Sequence, residues 1–454
     1  MITALLLLAC QEPAGPLGSF TAVLGHALAE DDPEALYDTT SAAFQEQVPL
    51  RTIRTVVTAV RQTCGAPLEL EVDPAGWERG GFQHLVRAAG PRRVALFRVS
   101  LDAEGRVAGL LQQFEAPVWS AEELVAALDS WPGDFGVAGA CIPAGAEPPR
   151  RFERHAGRET FPLGSIFKVY VLAEVARRIG SGELSWDQPL ALREEWKSLP
   201  SGTMQNEPAG AEFPVREYVR RMIGISDNTA TDHLLWLVGR DAVEAGLAAC
   251  RNSVPERNQP FLSTRELFFL KGLPDSAAAH GGDLGRLAAD WKDTDPAVRR
   301  AWLAEATEVW AEGDTAQLRA SAAIGYGLRS LAAPAHLEIE WFAAPEDLVA
   351  LYLEAAADRL YTPGASAAFR EGLAYGAPLY QGPGVSYHGF KGGSETGVFA
   401  LSLLLRLDDG RTAAVCVCRS GFPPADAALP QASVDAATAL ARALLEGRVG
   451  AGGR

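Results

Sequence analysis

The sequence predicts an α+β and α/β protein of two domains, a small domain of helices on a curved antiparallel sheet and a larger domain of helices around an antiparallel sheet. The length of 454 residues exceeds what one compact core usually spans. A pattern of helices followed by strands occupies the first quarter of the chain, and strands enclose a long helical stretch in the rest. The composition, 48% hydrophobic and 22% charged, is that of a globular protein.

The first domain is predicted over residues 16–118. Apolar residues recur at helical spacing in Phe20–Ala29 and Leu50–Thr63. Strand patterns follow, separated by turn residues; they cover Leu68–Val72, Gln83–Ala88, Arg93–Leu101 and Arg106–Phe114. This order resembles the cone-shaped steroid-isomerase/polyketide-cyclase-like fold in pattern only, without a motif. His84 is the lone titratable candidate for the interior of such a cone, and we assign it no chemistry.

The second domain is predicted over residues 133–446, after a linker helix in residues 119–132. Two strands, Phe135–Ile142 and Arg150–His155, precede a helix that begins at Ser165, and mostly helical sequence then continues to about residue 370. The last predicted elements are strands near Val385–Gly389, Gly397–Leu407 and Thr412–Arg419, and a helix over Ser433–Leu445. Residues 447–454 are Gly-rich and are predicted to be a flexible tail.

Charge and the N-terminus bear on partners and location. The formal net charge of −16 opposes nonspecific binding to nucleic acid, so no nucleic-acid partner is expected. Residues 1–15 begin with MITALLLLAC, which resembles a bacterial lipoprotein signal with Cys10 as the lipidated residue. This predicts export to the cell envelope, with membrane contact only through the anchor. No Lys or Arg precedes the apolar run, and the alternative is a cytoplasmic protein with a short apolar start or a mis-set start codon.

The six cysteines are too few for a disulfide scaffold in a chain of this length. Cys416 and Cys418 are two residues apart on a predicted strand and point to one face, where we expect them to be small buried side chains. A metal site would need further Cys or His at ligand spacing, so no metal is predicted. The Gly281-Gly282 pair lacks the lysine of a phosphate-binding loop, and no cofactor is predicted.

Lysine usage singles out a few positions. Only five of the 41 basic residues are lysines, and the other 36 are arginines. A lysine that persists against such a bias can do what arginine cannot, which is to give up its proton. Lys168 and Lys391 are two of these five residues, and each lies within a short motif.

The first motif is Gly164-Ser165-Ile166-Phe167-Lys168. If Ser165 begins a helix, Lys168 lies one turn further on the same face, so that its amine approaches the hydroxyl. The helix is apolar nearly all round and therefore buried, which lowers the pKa of a lysine and makes a neutral base available. The backbone N–H groups of its N-terminus can stabilise a developing oxyanion.

Two further motifs complete the set. In Ile225-Ser226-Asp227-Asn228, Ser226 offers a hydroxyl for proton relay and Asn228 an amide for a carbonyl; alone, the triplet is a turn or helix cap. In the third, Lys391 supplies positive charge, and the adjoining glycines let a substrate backbone approach the strand. The backbone N–H of Ser394 is the candidate second oxyanion donor. This third motif runs Phe390-Lys391-Gly392-Gly393-Ser394.

In this order the motifs resemble the Ser-x-x-Lys, Ser-Asp-Asn and Lys-Thr-Gly set of class A β-lactamases and penicillin-binding proteins, with Gly392 replacing Thr. The resemblance covers about residues 133–445. It implies that Ser165 is the acylated nucleophile and Lys168 its base. It further implies that Ser226 passes a proton to the leaving group, that Lys391 tunes Ser226 electrostatically, and that Asn228 orients the substrate.

The chain departs from this family at the deacylation site. Class A enzymes carry a Glu with an Asn four residues later, which together hold a water, and that pair is absent in its usual form. We expect Glu266 to be the first substitute to test, although it is also an ordinary helix residue by pattern; Glu338 and Glu340 come second. The distance of 165 residues from Ser226 to Lys391 is long, and the excess between residues 281 and 335 is predicted to be a lid or a peripheral helical subdomain.

Three functions stay open at this stage. The leading hypothesis is a β-lactamase-like serine hydrolase with slow deacylation, acting on a β-lactam or a related amide or ester. The second is a cell-wall D-alanyl peptidase or an esterase that uses the same residues. The third is a binding protein that senses β-lactams or wall peptides without turnover. Fold alone does not decide between them.

Overall fold

The computed structural model describes residues 15–72, 84–91, 93–145, 148–156, 159–272, 290–312, 337–380, 384–422 and 429–449. The chain divides into two compact units, residues 1–117 and residues 118–454. The mixture of helices and antiparallel sheets that the sequence predicts is confirmed.

The first unit consists of helices followed by a four-stranded antiparallel sheet in the order β1-β2-β3-β4. Its helices are α1 (Pro16–Glu30), α2 (Pro33–Asp38), α3 (Ala42–Gln47) and α4 (Leu50–Cys64). Its strands are β1 (Glu69–Val72), β2 (His84–Ala89), β3 (Val94–Leu101) and β4 (Val107–Phe114). Apolar residues of α1 and α4 pack against alternate residues of β2 and β3, which forms the core of this unit.

Two short helices of the first unit were absent from the sequence prediction. α2 and α3 have six residues each, too few for a helical period to show in the sequence. The side chain of Asp32 accepts a hydrogen bond from the Ala35 N–H, and that of Ser41 accepts one from the Phe44 N–H. These N-caps satisfy backbone donors that a short helix otherwise leaves unpaired.

The second unit contains a five-stranded antiparallel sheet in the order β11-β12-β13-β5-β6, with β11 at one edge. Its strands are β5 (Asp134–Ile142), β6 (Arg150–Ala156), β11 (Val385–Glu395), β12 (Val398–Leu407) and β13 (Thr412–Ser420). Two small ladders pair β7 (Phe161–Pro162) with β10 (Phe342–Ala343), and β8 (Pro189–Ala191) with β9 (Glu212–Pro214).

Helices cover both faces of this sheet. The described helices of this unit are α5 (Ala121–Asp129), α6 (Lys168–Ser181), α7 (Val215–Gly224), α8 (Asn228–Val238), α9 (Arg240–Gly246), α10 (Thr264–Gly272), α11 (Pro296–Glu312), α12 (Pro345–Ala356), α13 (Pro363–Leu373) and α14 (Leu429–Leu445). Gly139 of β5 lies against Leu440 and Leu444 of α14, whereas Gly136 lies against Phe161 and Pro345 on the opposite face. Near-continuous burial of β5 and β13 follows from this coverage.

The structure refines three boundaries. The α-helix predicted to begin at Ser165 begins at Lys168, because residues Gly164–Phe167 form a 3-10 turn. α5, predicted as a linker, lies within the second compact unit and packs against α14. Residues 447–449, assigned to the flexible tail, are packed: Val449 is buried and Arg448 donates to the carbonyl of Trp119.

Several sequence predictions lie outside the described residues. These are the lipoprotein-type signal with Cys10 and most of the long insertion, of which α11 is described. Among the described helices none is long and apolar enough to cross a membrane. The five described cysteines are buried, including Cys416 and Cys418 on β13.

The close crossing of α6 and α13 generates a stability prediction. A methyl group at Gly180 of α6 would lie 2.7 Å from the Cα of Ala365. Gly→Ala in an open helix stabilises by up to about 1 kcal/mol, but overpacking costs about 1–3 kcal/mol. We therefore expect Gly180→Ala to lower the free energy of unfolding in denaturant titration. The exposed neighbour change Ser181→Ala is the control, and a more stable Gly180→Ala variant would contradict the packing described.

Candidate active site

Ser165 lies in the tight turn that leads into α6. Gly164 opens the turn at φ +49°, a left-handed conformation that favours glycine. Ile166 is buried beneath the turn, and Lys168 is fully buried as the first residue of α6. The backbone N–H of Lys168 donates to the carbonyl of Ser165. The half-buried serine is therefore held at the N-terminal end of a buried helix.

The edge strand β11 runs beside this turn. A methyl group at Gly393 would lie 2.5 Å from the backbone nitrogen of Ser165, and one at Gly164 would lie 3.2 Å from the backbone nitrogen of Ser394. The structure thus brings the backbone nitrogens of Ser165 and Ser394 onto adjoining segments. Paired backbone N–H groups are the usual donors to a developing oxyanion.

The amine of Lys168 is held by the Ser-Asp-Asn motif. Its Nζ lies 2.6 Å from the carbonyl oxygen of Ser226, 2.7 Å from Oδ1 of Asn228 and 3.1 Å from Oγ of Ser226. Among the described residues the Ser165 hydroxyl has no hydrogen-bond partner. The base predicted for Ser165 therefore contacts the predicted proton relay directly.

Ser226 lies at φ +58°, an uncommon conformation for a residue with a side chain. Asp227, fully buried, fixes the surrounding backbone. Its carboxylate accepts from the Ala230 N–H at the start of α8 and from the N–H groups of Thr203 and Met204 at 2.7 and 2.8 Å. The motif is therefore more than a helix cap, because it also anchors the loop of residues 201–206.

Lys391 reaches the same hydroxyl from the edge strand. Its Nζ lies 3.0 Å from Oγ of Ser226 and 2.6 Å from the carbonyl oxygen of Gly392, and the residue is 2% exposed. The Ser226 hydroxyl thus lies between two buried amines. If Lys168 is neutral, its two N–H groups serve the Ser226 carbonyl and Asn228, and its lone pair can accept the hydroxyl proton of Ser226.

The electrostatics favour this protonation state. Burial, and then the positive charge of Lys391, lower the pKa of Lys168 well below its usual value, although Asp227 and Asp232 oppose the change. Burial lowers the pKa of Lys391 to about 7. The ammonium form of Lys391 therefore favours the neutral form of Lys168.

Asn228 contributes to the site in two directions. Its Oδ1 accepts from Lys168, and its Nδ2 donates to the carbonyl of Leu199 at 3.1 Å. An amide NH₂ has two donors, so one N–H of Asn228 is left for a substrate carbonyl.

Gly392 lies beside the Phe390 ring, which would lie 3.0 Å from a methyl group at that position.

Sequence reasoning missed Asp232, which lies one helical turn after Asn228 on α8. The Asp232 carboxylate is fully buried and accepts from the Thr264 N–H and hydroxyl, both at 2.8 Å, and from the Arg265 N–H at 3.0 Å. Burial raises the pKa of Asp232 to about 7, against the effect of these hydrogen bonds. The spacing of four residues from Asn228 to Asp232 was the available signal.

The structure does not bring Glu266 to the other predicted catalytic residues. One carboxylate oxygen accepts from the Ser263 N–H at 2.8 Å, which caps α10, and the other pairs with Arg240. With Arg240 and Trp236, Glu266 lines a surface pocket of about 530 Å³ that includes none of the residues that contact Ser226. The capping role explains why its carboxylate turns to the N-terminus of α10.

The second-choice carboxylates also have other partners. Glu338 pairs with Arg257 at 3.0 Å. Glu340 is buried against Lys271 at 2.8 Å. No described carboxylate forms a hydrogen bond with Lys168 or Lys391, and the described residues hold no cluster of metal-ligating side chains.

Comparison with known proteins agrees with this arrangement in part of the chain. Residues 148–278 match the model of a β-lactamase enzyme family; this segment contains Ser165, Lys168 and Ser226 but ends before Lys391. No curated protein matches the sequence.

Solved structures of β-lactamases and of a penicillin-binding protein resemble the fold. A β-lactamase from Sphaerobacter thermophilus is 21% identical, with 73% of this chain and 97% of that chain covered and a TM-score of 0.47. A β-lactamase from Chitinophaga pinensis is 16% identical, covering 72% and 98%, with a TM-score of 0.46. The structure of PBP-A is 14% identical, covering 72% and 95%, with a TM-score of 0.47.

The two lysines predict how reactivity at Ser165 depends on pH. Lys168 must be neutral to act as a base, so reactivity rises with pH through its lowered pKa. Lys391 must be charged, so reactivity falls as pH rises through about 7. We expect a bell-shaped profile for covalent labelling by a penicillin, measured by stopped-flow or quench. Lys391→Arg keeps its charge and should move the falling limb to higher pH; an unmoved limb would contradict this assignment.

The close approach at Gly393 predicts that acylation is sensitive to a displacement of the two backbone N–H groups. A side chain at this position must push the Ser165 backbone away from β11. Loss of one oxyanion donor costs about 10²–10³ in rate, and we expect Gly393→Ala to slow acylation by about that factor. Circular dichroism and unfolding midpoints check that the variant is folded. Gly25→Ala on α1, where an added methyl group would come no closer than 3.8 Å to the Leu70 side chain, is the matched control. Wild-type acylation by a folded Gly393→Ala would contradict the prediction.

Proposed function

We propose that this protein is a serine hydrolase of the β-lactamase type that is acylated at Ser165 by a β-lactam or a related amide or ester. The observation that carries the proposal is the position of the Ser226 hydroxyl, 3.1 Å from Nζ of Lys168 and 3.0 Å from Nζ of Lys391, beside the Ser165 turn. Both amines are buried. The family match over residues 148–278 supports the same assignment.

Acylation uses these groups in sequence. Oγ of Ser165 attacks the carbonyl carbon and its proton passes to the neutral amine of Lys168. The carbonyl oxygen becomes an oxyanion, which the N–H groups of Ser165 and Ser394 stabilise. As the C–N or C–O bond breaks, Ser226 gives its hydroxyl proton to the leaving atom and takes one from Lys168. The protons balance, and Lys168 is neutral again.

Lys391 acts on Ser226 without exchanging its own proton. Its ammonium, 3.0 Å from Oγ of Ser226, stabilises negative charge on that oxygen while the proton is transferred. Because the residue is buried, water screens this charge little. The same charge disfavours protonation of Lys168 and so keeps the base neutral before reaction.

Among the described residues we identify no comparable carboxylate base for deacylation. The acidic groups that influence Lys168 electrostatically are Asp227 and Asp232, and both accept hydrogen bonds from backbone N–H groups. Glu266 is occupied by the cap of α10 and by Arg240. A positioned general base contributes about 10²–10⁴ in rate, so we propose that the acyl-enzyme is hydrolysed slowly.

Slow deacylation also supports a second candidate, a penicillin-binding protein that senses β-lactams or wall peptides. The specific observation is again that Lys168 contacts Ser226 and Asn228, with no carboxylate bonded to it among the described residues. Such a protein would be labelled once per chain and would release no product. A D-alanyl peptide or an acyl ester as competitor distinguishes a peptidase or esterase from a β-lactamase.

Intact-protein mass spectrometry after exposure to a penicillin tests the proposal. We expect one added penicillin mass on the wild type, persisting after free drug is removed, and none on Ser165→Ala. Lys168→Arg keeps the positive charge but cannot act as a base, so its labelling should slow by about 10²–10⁴. Lys292→Arg, at an exposed lysine, is the matched control.

Two outcomes would overturn the roles assigned. Labelling of Ser165→Ala would place the nucleophile elsewhere, and wild-type labelling of Lys168→Arg would remove the base. An unlabelled wild type that hydrolyses neither penicillin, D-alanyl peptide nor ester would end the acylation proposal itself.

A further inference from the structure

A third lysine is buried where α10 meets the end of β11. Nζ of Lys271 lies 2.8 Å from a carboxylate oxygen of Glu340 and 2.6 Å from one of Glu395. Their side chains are 0%, 1% and 7% exposed, in the same order. No hydrogen bond between described residues joins this cluster to Lys168 or Ser226, so it takes no direct part in the proton transfers.

The charges of Lys271, Glu340 and Glu395 favour contact among the three side chains. Burial, and then the charge of Glu395, raise the pKa of Glu340 well above its usual value. Burial lowers the pKa of Lys271, but the two carboxyl groups outweigh it and leave that pKa raised. A buried amine and two buried carboxyl groups compensate one another only while the amine stays in contact with both.

Glu340 connects the cluster to the nucleophile turn. Its second carboxylate oxygen accepts from the N–H of Trp341 at 3.1 Å. The carbonyl of Trp341 accepts from the N–H of Leu163 at 2.9 Å, two residues before Ser165. The Trp341 ring stacks on Phe167 with centroids 3.5 Å apart and planes at 8°. The turn that holds Ser165 is therefore bonded at one end and stacked at the other against Trp341.

Glu395 connects the same cluster to the oxyanion strand. Side chains two apart on a strand share a face, so those of Lys391, Gly393 and Glu395 lie on one face of β11. Lys391 reaches Ser226, position 393 lies against the Ser165 backbone, and Glu395 reaches Lys271. Lys271 thus holds the end of β11 through Glu395, the residue that directly follows Ser394.

We propose that Lys271, Glu340 and Glu395 form a clasp that sets the spacing between the backbone N–H groups of Ser165 and Ser394. The inference rests on the proposed function, because only acylation at Ser165 makes these two N–H groups an oxyanion site. The three are positioning residues: Glu340 acts through Trp341 on the Ser165 turn, and Glu395 acts through β11 on Ser394. A displacement of about 1 Å at such donors can cost about 10²-fold in rate.

Rapid-mixing kinetics with a chromogenic or fluorescent penicillin, together with hydrogen–deuterium exchange, test the clasp. Lys271→Met leaves two acidic groups without their cation. We expect its acylation rate constant to fall by about tenfold or more, while the dissociation constant of the noncovalent complex changes less than about twofold. Exchange should increase in peptides covering residues 162–168 and 391–396. Lys271→Arg keeps the charge and should retain most of the acylation rate.

A control and a second variant keep the test decisive. Glu174→Gln removes a buried carboxylate that pairs with Arg177 and Arg178 elsewhere on α6, and it should lower stability without slowing acylation. If Lys271→Met does not fold, Lys271→Met/Glu395→Gln removes the charge imbalance and should fold with slow acylation.

The outcomes separate the clasp from the function on which it rests. Wild-type acylation and unchanged exchange in the lysine variants would overturn the clasp and leave the hydrolase proposal standing. If the wild type is not acylated at all, the hydrolase proposal fails. Exchange, which needs no substrate, then still decides whether the cluster holds the two segments together.

Discussion

The placement of one hydroxyl between two amines governs the whole candidate site. Ser226 can lie there only because α6 and β11 each present a lysine to it from within the protein interior. Burial makes both amines easier to deprotonate than lysines in water, and their mutual repulsion separates their protonation states further. The reactivity proposed for Ser165 thus depends on the packing around Lys168 and Lys391 as much as on the serine itself.

Burying two lysine amines close together is unfavourable unless other groups compensate for their positive charge. Asp227 and Asp232 do so at a distance, and their own oxygens are satisfied by backbone N–H groups at the starts of α8 and α10. Those hydrogen bonds keep the carboxylates away from Lys168. A carboxylate in contact with Lys168 would stabilise its ammonium form, which cannot act as a base. Asp227 directly follows Ser226, so its hydrogen bonds also hold the backbone beside that left-handed residue.

Much of the architecture follows from local patterns, and the errors have identifiable causes. The long helices α1 and α4 and the strands of both sheets lie near their predicted positions, because hydrophobic periodicity reports which face is buried. The helix start at Ser165 was displaced to Lys168, since a 3-10 turn has no distinct pattern in sequence. Glu266 was a reasonable candidate by position, but a side chain in a capping box points to its own helix terminus.

By itself, the sequence determined which chemistry was available: a serine one turn from a rare lysine, a Ser-Asp-Asn triplet and a glycine-flanked lysine, in an order that resembles a known family. Only the tertiary structure decided that Lys168 and Lys391 meet at a single hydroxyl, and that Lys271, Glu340 and Glu395 gather beside the oxyanion strand. Contacts between residues 58 to 165 positions apart depend on how helices and strands pack, and no local pattern encodes those distances.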